Sequence, residues 1–129
     1  MKKNGKGEKM SNPYVDNQPP LDIVEFLKIA YTMMKKKVER LKEIEESKKR
    51  DKLPLPLVKE KFEITSNILK ALLDLTSALD YTKPDAKELA DILNDIGLML
   101  SKGNIAESKE EALKYYDIVI YILDEFLSE

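Results

Sequence analysis

The sequence predicts an all-α protein: an antiparallel four-helix up-down bundle preceded by an extended N-terminal arm. Three observations carry that expectation. Apolar residues recur at three- and four-residue intervals in four separate stretches. The stretches are joined by short connectors bearing Pro, Gly or a capping pattern, which sets successive helices side by side and antiparallel. No stretch alternates apolar and polar residues in the manner of a strand. At 129 residues the chain is expected to be one domain able to bury a real core.

Residues 1–9 are rich in Lys and Gly and offer nothing to bury, so a disordered tail is expected there. Residues 10–20 follow as an arm. Asn12-Pro13 and Pro19-Pro20 disfavour helix, and Tyr14 and Val15 are its apolar anchors. The bundle should occupy residues 21–129. Its first helix starts after Pro20 and runs to about Ser47, with Ile23, Val24, Phe26, Leu27, Ala30, Met34, Val38, Leu41 and Ile44 on its stripe. Ile29, Tyr31 and Met33 add apolar surface off that stripe. Pro54 and Pro56 enforce a connector. The second helix spans about Leu57 to Asp80, with Phe62, Leu69, Leu72, Leu73, Ala78 and Leu79 as its buried side and Ile64, Ile68 and Leu75 widening it. Thr82 with Asp85 resembles a cap, and Pro84 suits a first helical turn. The third helix reaches Lys102, where Gly103 is placed to end it in the left-handed conformation. Ser108 with Glu111 matches the capping box, and the fourth helix runs from there to about Leu127.

That last helix carries more apolar surface than one core uses. From Tyr115 to Leu123 only Asp117 interrupts the run. With Phe126 and Leu127 it covers roughly 220° of the helix, against a stripe of somewhat over about 100° for one buried face. Ile118 and Tyr121 fall outside the core arc, and Tyr115 and Ile122 flank it. Among the methionines, Met34 reads as core, while Met33 and Met99 sit off their stripes and offer adaptable contact surface. The expected partner-binding set is therefore Tyr14, Ile29, Met33, Met99, Tyr115, Ile118, Tyr121 and Ile122.

Composition narrows the function. Net charge is −2 with both signs interleaved, so no basic face is available for nucleic acid. No apolar run reaches the length of a membrane span, and the basic start lacks a signal-peptide core, so a cytoplasmic protein is expected. The chain has no Cys and no His, which removes thiol chemistry, the commonest zinc ligand and the side chain that titrates nearest neutrality. Glu45-Glu46 and Glu110-Glu111 lie in polar stretches where solvation is the expectation. The glycines have no phosphate-cradling spacing, and Gly97 reads as a place of close helix packing. Neither an enzyme nor a bound cofactor or metal is expected.

Three stretches stand out from Met10 onward: Asn12-Pro13-Tyr14 with Asn17, then Ile68-Leu69-Lys70-Ala71-Leu72 with Leu79-Asp80, and Leu100 through Asn104-Ile105. In these the chain resembles the flagellin export chaperones of the FliS type. Gly103 stands where the family has Ala, Phe126 where it usually has Trp, and Lys28-Ile29-Ala30 where its first helix reads Tyr-Asp-Gly after Leu. The resemblance implies a cytosolic bundle that binds the C-terminal helical segment of flagellin. It would mask that segment's polymerisation surface until type III export, with export-gate components as further partners. It also implies an arm whose Tyr14 fills a groove when the client is away. As an oligomer the expectation is a monomer or weak homodimer. Two readings compete with this one: a structural bundle that dimerises through the same apolar faces, and a paralogous co-chaperone with another client.

Overall fold

The computed structural model describes residues 23–50 and 52–128. They form four helices: α1 (Ile23–Glu46), α2 (Leu55–Ala78), α3 (Pro84–Asn104) and α4 (Lys109–Leu127). α1 packs on α2 and α4, and α3 packs on the same two, so the helices close a ring around one core. This is the all-α four-helix bundle that the apolar periodicity calls for. The tail, the arm and Tyr14 lie outside the described residues.

Each helix end has a local cause. α2 begins at Leu55, earlier than the sequence suggests, with Pro56 inside its first turn. A proline is tolerated there because its missing N–H would have no intrahelical partner anyway. At the other end Tyr81 donates its hydroxyl to the Thr76 carbonyl at 2.7 Å, satisfying one of the last orphan acceptors of α2. Thr82 does not cap α3. Lys83 stands at the cap without a side-chain bond, and Thr82 instead gives both its N–H and its hydroxyl to the Asp80 carboxylate. Those two bonds hold the Asp80 carboxyl below its usual range. Ser108 does cap α4: its Oγ accepts the Glu111 N–H at 3.1 Å, with Glu110 and Glu111 adding negative charge to the first turn. Lys109 donates to the Glu46 carbonyl at 3.3 Å, so the start of α4 also serves the end of α1.

Gly103 departs from its expected role. It is not left-handed and does not end α3; it is a buried position inside the helix. A Cβ there would lie 2.7 Å from Tyr116 Cε1, so the missing side chain is the space that the Tyr116 ring occupies. Gly97 faces α2 more loosely, where a Cβ would meet Leu69 Cδ2 at 3.4 Å.

The core is Tyr31, Met34, Val38 and Leu41 from α1, Ile68, Leu72 and Leu75 from α2, Leu93, Ile96 and Leu100 from α3, and Ala112, Tyr116, Val119 and Leu123 from α4. Burying a large aliphatic or aromatic side chain contributes about 1.5–3 kcal/mol, so this set dominates folding. Met34 is core as expected. Tyr31 is not outlying surface: it is 4% exposed and stacks on Phe126, ring centroids 4.8 Å apart, joining α1 to α4. A polar network threads the bundle. Tyr116 donates to Asn104 Oδ1, and Asn104 Nδ2 donates to Thr65 Oγ1 at 2.7 Å, linking α4, α3 and α2. Burial and the nearby Glu45 carboxylate push the Tyr116 hydroxyl pKa up.

Candidate partner-binding surfaces

α2 is where the sequence reading and the structure part most. The buried residues are Thr65, Ile68, Leu72 and Leu75. Phe62, Leu69 and Leu73, read as core, face outward, and Phe62 is 66% exposed. Ala78 is exposed too. α2 carries two apolar stripes, and α1 and α3 cover only one. At about 100° per residue, Phe62, Leu69 and Leu73 share a second face, which Leu55 extends.

A strongly apolar groove runs between α1 and α2. Phe26, Ile29, Ala30 and Met33 of α1 face Asn67 and Ala71 of α2, over a floor of Met34 and Ile68, in a volume of about 230 Å³. Met33 is 55% exposed, and Phe26 and Ile29 are comparably open. Phe26 therefore belongs to this surface and not to the core. Further along, the same two helices are tied together by an ion pair. Arg40 grips Glu60 through Nε at 2.7 Å and Nη2 at 3.0 Å, which keeps the Glu60 carboxyl below its usual range.

On α4 a shallow depression is lined by Glu110, Leu113, Lys114, Asp117, Ile118 and Tyr121. Tyr121 is 65% exposed and Ile118 36%. Tyr115 and Ile122 are half-buried beside them, and Met99 is half-buried against the core. The expected partner-binding residues therefore do not meet at one place. Ile29 and Met33 line the α1–α2 groove, while Ile118 and Tyr121 line the outer face of α4.

The third feature is polar. Glu45, expected to be solvated, is fully buried. Its Oε1 accepts from Lys61 Nζ at 2.9 Å. Lys48 Nζ lies 2.6 Å from Oε2, in charge contact but off the hydrogen-bonding direction. Burial works to raise the Glu45 carboxyl, yet the two ammonium groups outweigh it and hold the pKa below its usual range. The residues missed by sequence reasoning are thus Phe26, Phe62, Leu69, Leu73 and Glu45. The heptad spacing of Leu55, Phe62 and Leu69 was the available signal for the second α2 face; at Glu45 the local signal is Lys48 three residues on, while the hydrogen-bonding Lys61 comes from another helix.

Among the described residues no group of His, Cys, Asp or Glu could hold a metal ion, and no helix is long and apolar enough to cross a membrane. In comparisons with known proteins the chain matches no family model, no curated protein and no solved structure.

Proposed function

We propose that this protein is a cytoplasmic chaperone that receives amphipathic helices of the C-terminal segment of flagellin and keeps them from polymerising before export. The observation that carries the reading is the apolar surface the bundle leaves uncovered: Phe26, Ile29 and Met33 along one groove, with Phe62, Leu69 and Leu73 on α2 and Ile118 and Tyr121 on α4. Large exposed apolar patches mark interaction sites. A groove between two parallel ridges suits a helix that anchors through residues at i, i+3, i+4 and i+7. Several such faces on separate sides fit a client that wraps the bundle with more than one helix. The resemblance to flagellin chaperones supplies the client. An antiparallel course of the helices belongs to the same reading. It is supported by the ion pairs Lys35–Asp124 and Lys42–Asp117, which advance along α1 while they retreat along α4.

The test is calorimetric titration of a flagellin C-terminal segment into the protein. A stable heterocomplex is expected. Ile29→Ser with Met33→Ser should weaken it at least about tenfold while leaving the unfolding midpoint nearly unchanged, because exposed sites contribute little to stability. Absence of any complex with the unaltered protein sinks the proposal.

A second reading has one observation in its favour. Leu55, Phe62 and Leu69 are spaced by sevens and exposed, as in a helix that pairs with a copy of itself. Sedimentation equilibrium separates the two: a dimer that forms without client and is lost on Phe62→Ser with Leu69→Ser favours self-association.

A further inference from the structure

Beside the α1–α2 connector lies a cavity of about 230 Å³ lined by Lys48, Leu53, Val58, Lys61, Phe62 and Asn104. Its charge does not balance. Two lysine side chains, 15% and 12% exposed, share the single buried carboxylate of Glu45. Each ammonium carries three donors. Lys61 gives one to Glu45 Oε1, and Lys48 gives none in good geometry. Among the described residues no other carboxylate pairs with either lysine. Among the described residues one positive charge is left over where solvent is largely shut out, and an unbalanced charge in such a place is costly. The surroundings add to the surplus. The connector carries Lys49, Arg50 and Lys52 against Asp51. The first turn of α2 has neither an acidic residue nor a side-chain cap, so the positive end of its dipole is unanswered.

Leu53, Val58 and the open rim of Phe62 make the apolar part of the wall, and the one other polar side chain there, Asn104, is already bonded to Thr65 and Tyr116. The lysines are also held in place from behind. Glu45 grips both, and the segment that follows Lys48 is fixed by reciprocal backbone bonds between Lys49 and Lys52 at 3.3 and 3.0 Å. Arg50 sits in the left-handed region at φ 54°, a conformation that non-glycine residues disfavour and that surrounding contacts must enforce.

We propose that this cavity is a subsite for the terminal carboxylate of a bound polypeptide whose last side chain is apolar. The carboxylate sits between Lys48 and Lys61, and the side chain packs on Leu53, Val58 and Phe62. A carboxylate supplies the one negative charge that the lysine pair lacks, whereas a phosphate brings up to about two. The apolar walls would give a bare inorganic anion nothing to contact. Naming the polypeptide as the client's C-terminal segment rests on the function proposed above; the subsite itself rests on the lysine geometry.

Two pairs of probes test this on the full chain. N-acetyl-leucine and N-acetyl-leucinamide are titrated into isotope-labelled protein and followed by the resonances of Leu53, Val58 and Phe62. The flagellin segment is titrated by calorimetry with a free terminal carboxylate and as its C-terminal amide. The acid of each pair should bind at least about tenfold more tightly than the amide, the scale of a hydrogen bond to a charged group. Lys48→Gln, which leaves Glu45 paired with Lys61, should bring the acid down to the level of the amide. Equal binding of N-acetyl-leucine and its amide, or no binding of either, overturns the subsite even if the flagellin segment binds. A flagellin segment that fails to bind in both forms, while N-acetyl-leucine is preferred over its amide, supports the subsite and overturns the function proposed above.

Discussion

Two glycines in α3 show how one hydrogen atom can carry opposite consequences. Gly103 gives its volume to the Tyr116 ring, which is fully buried and tied through its hydroxyl to Asn104, so the ring cannot step aside. Gly103→Ala should cost about 1–3 kcal/mol through overpacking, although alanine is the better helix former. Gly97→Ala meets only ordinary contact at 3.4 Å and should stabilise by about 0.5–1 kcal/mol. Urea melts of the two variants should move in opposite directions. Glu45 makes a sharper case. Glu45→Gln leaves two shielded ammonium groups without their carboxylate and should cost about 3–5 kcal/mol. Its pH dependence follows from the depressed pKa. The contribution of Glu45 is complete above its ordinary value of 4.5 and is lost as the pH falls through the lower folded value. Acid unfolding of the glutamine variant should therefore show a flatter dependence over that window than the unaltered protein.

Among the helices, the two clearest outcomes concern α4 and α2. α4 was legible almost to the residue, because its signals are local. Ser108 and Glu111 mark the start, and the surplus of apolar positions marks Ile118 and Tyr121 as outward-facing. Ser108→Ala should destabilise by about 0.5–2 kcal/mol in denaturant melts, by removing the acceptor of the Glu111 N–H. α2 was legible as a helix but not as to its inward side. Ile68, Leu72 and Leu75 make one stripe and Phe62, Leu69 and Leu73 another, and periodicity alone does not rank them. The choice is made by neighbours: Thr65 must reach Asn104, and Lys61 must reach Glu45. Both contacts are long-range, so no window of sequence contains them. The same holds for Gly103, whose role is set by a ring on the next helix. The exposed apolar faces were half legible for this reason. Ile29 and Met33 were found from their place off a stripe, whereas Phe26 and Phe62 were hidden among residues that looked like core.

Taken as a whole, the bundle is not held with equal strength on all sides. Val38, Leu41, Leu93, Ile96, Leu100, Tyr116, Val119 and Leu123 are fully buried on α1, α3 and α4, while on α2 only Ile68 approaches that state. Local opening follows the density of buried apolar contact, so native-state hydrogen exchange should find α2 the least protected helix. Equal protection of α2 and α4 would contradict this. The Thr65–Asn104–Tyr116 chain of hydrogen bonds then takes on a meaning beyond its energy. A loosely held cylinder with two greasy sides about 100° apart has two angular settings that hydrophobicity by itself would rate alike. The peg at Thr65 fits its socket in only one of them; in the other, Asn104 and Tyr116 lose a donor or acceptor that they can replace only with difficulty. Thr65→Val should consequently yield a chain that remains as helical as before but is no longer singular, with doubled methyl signals from Ile68, Leu72 and Leu75 as α2 exchanges between its two rotational positions.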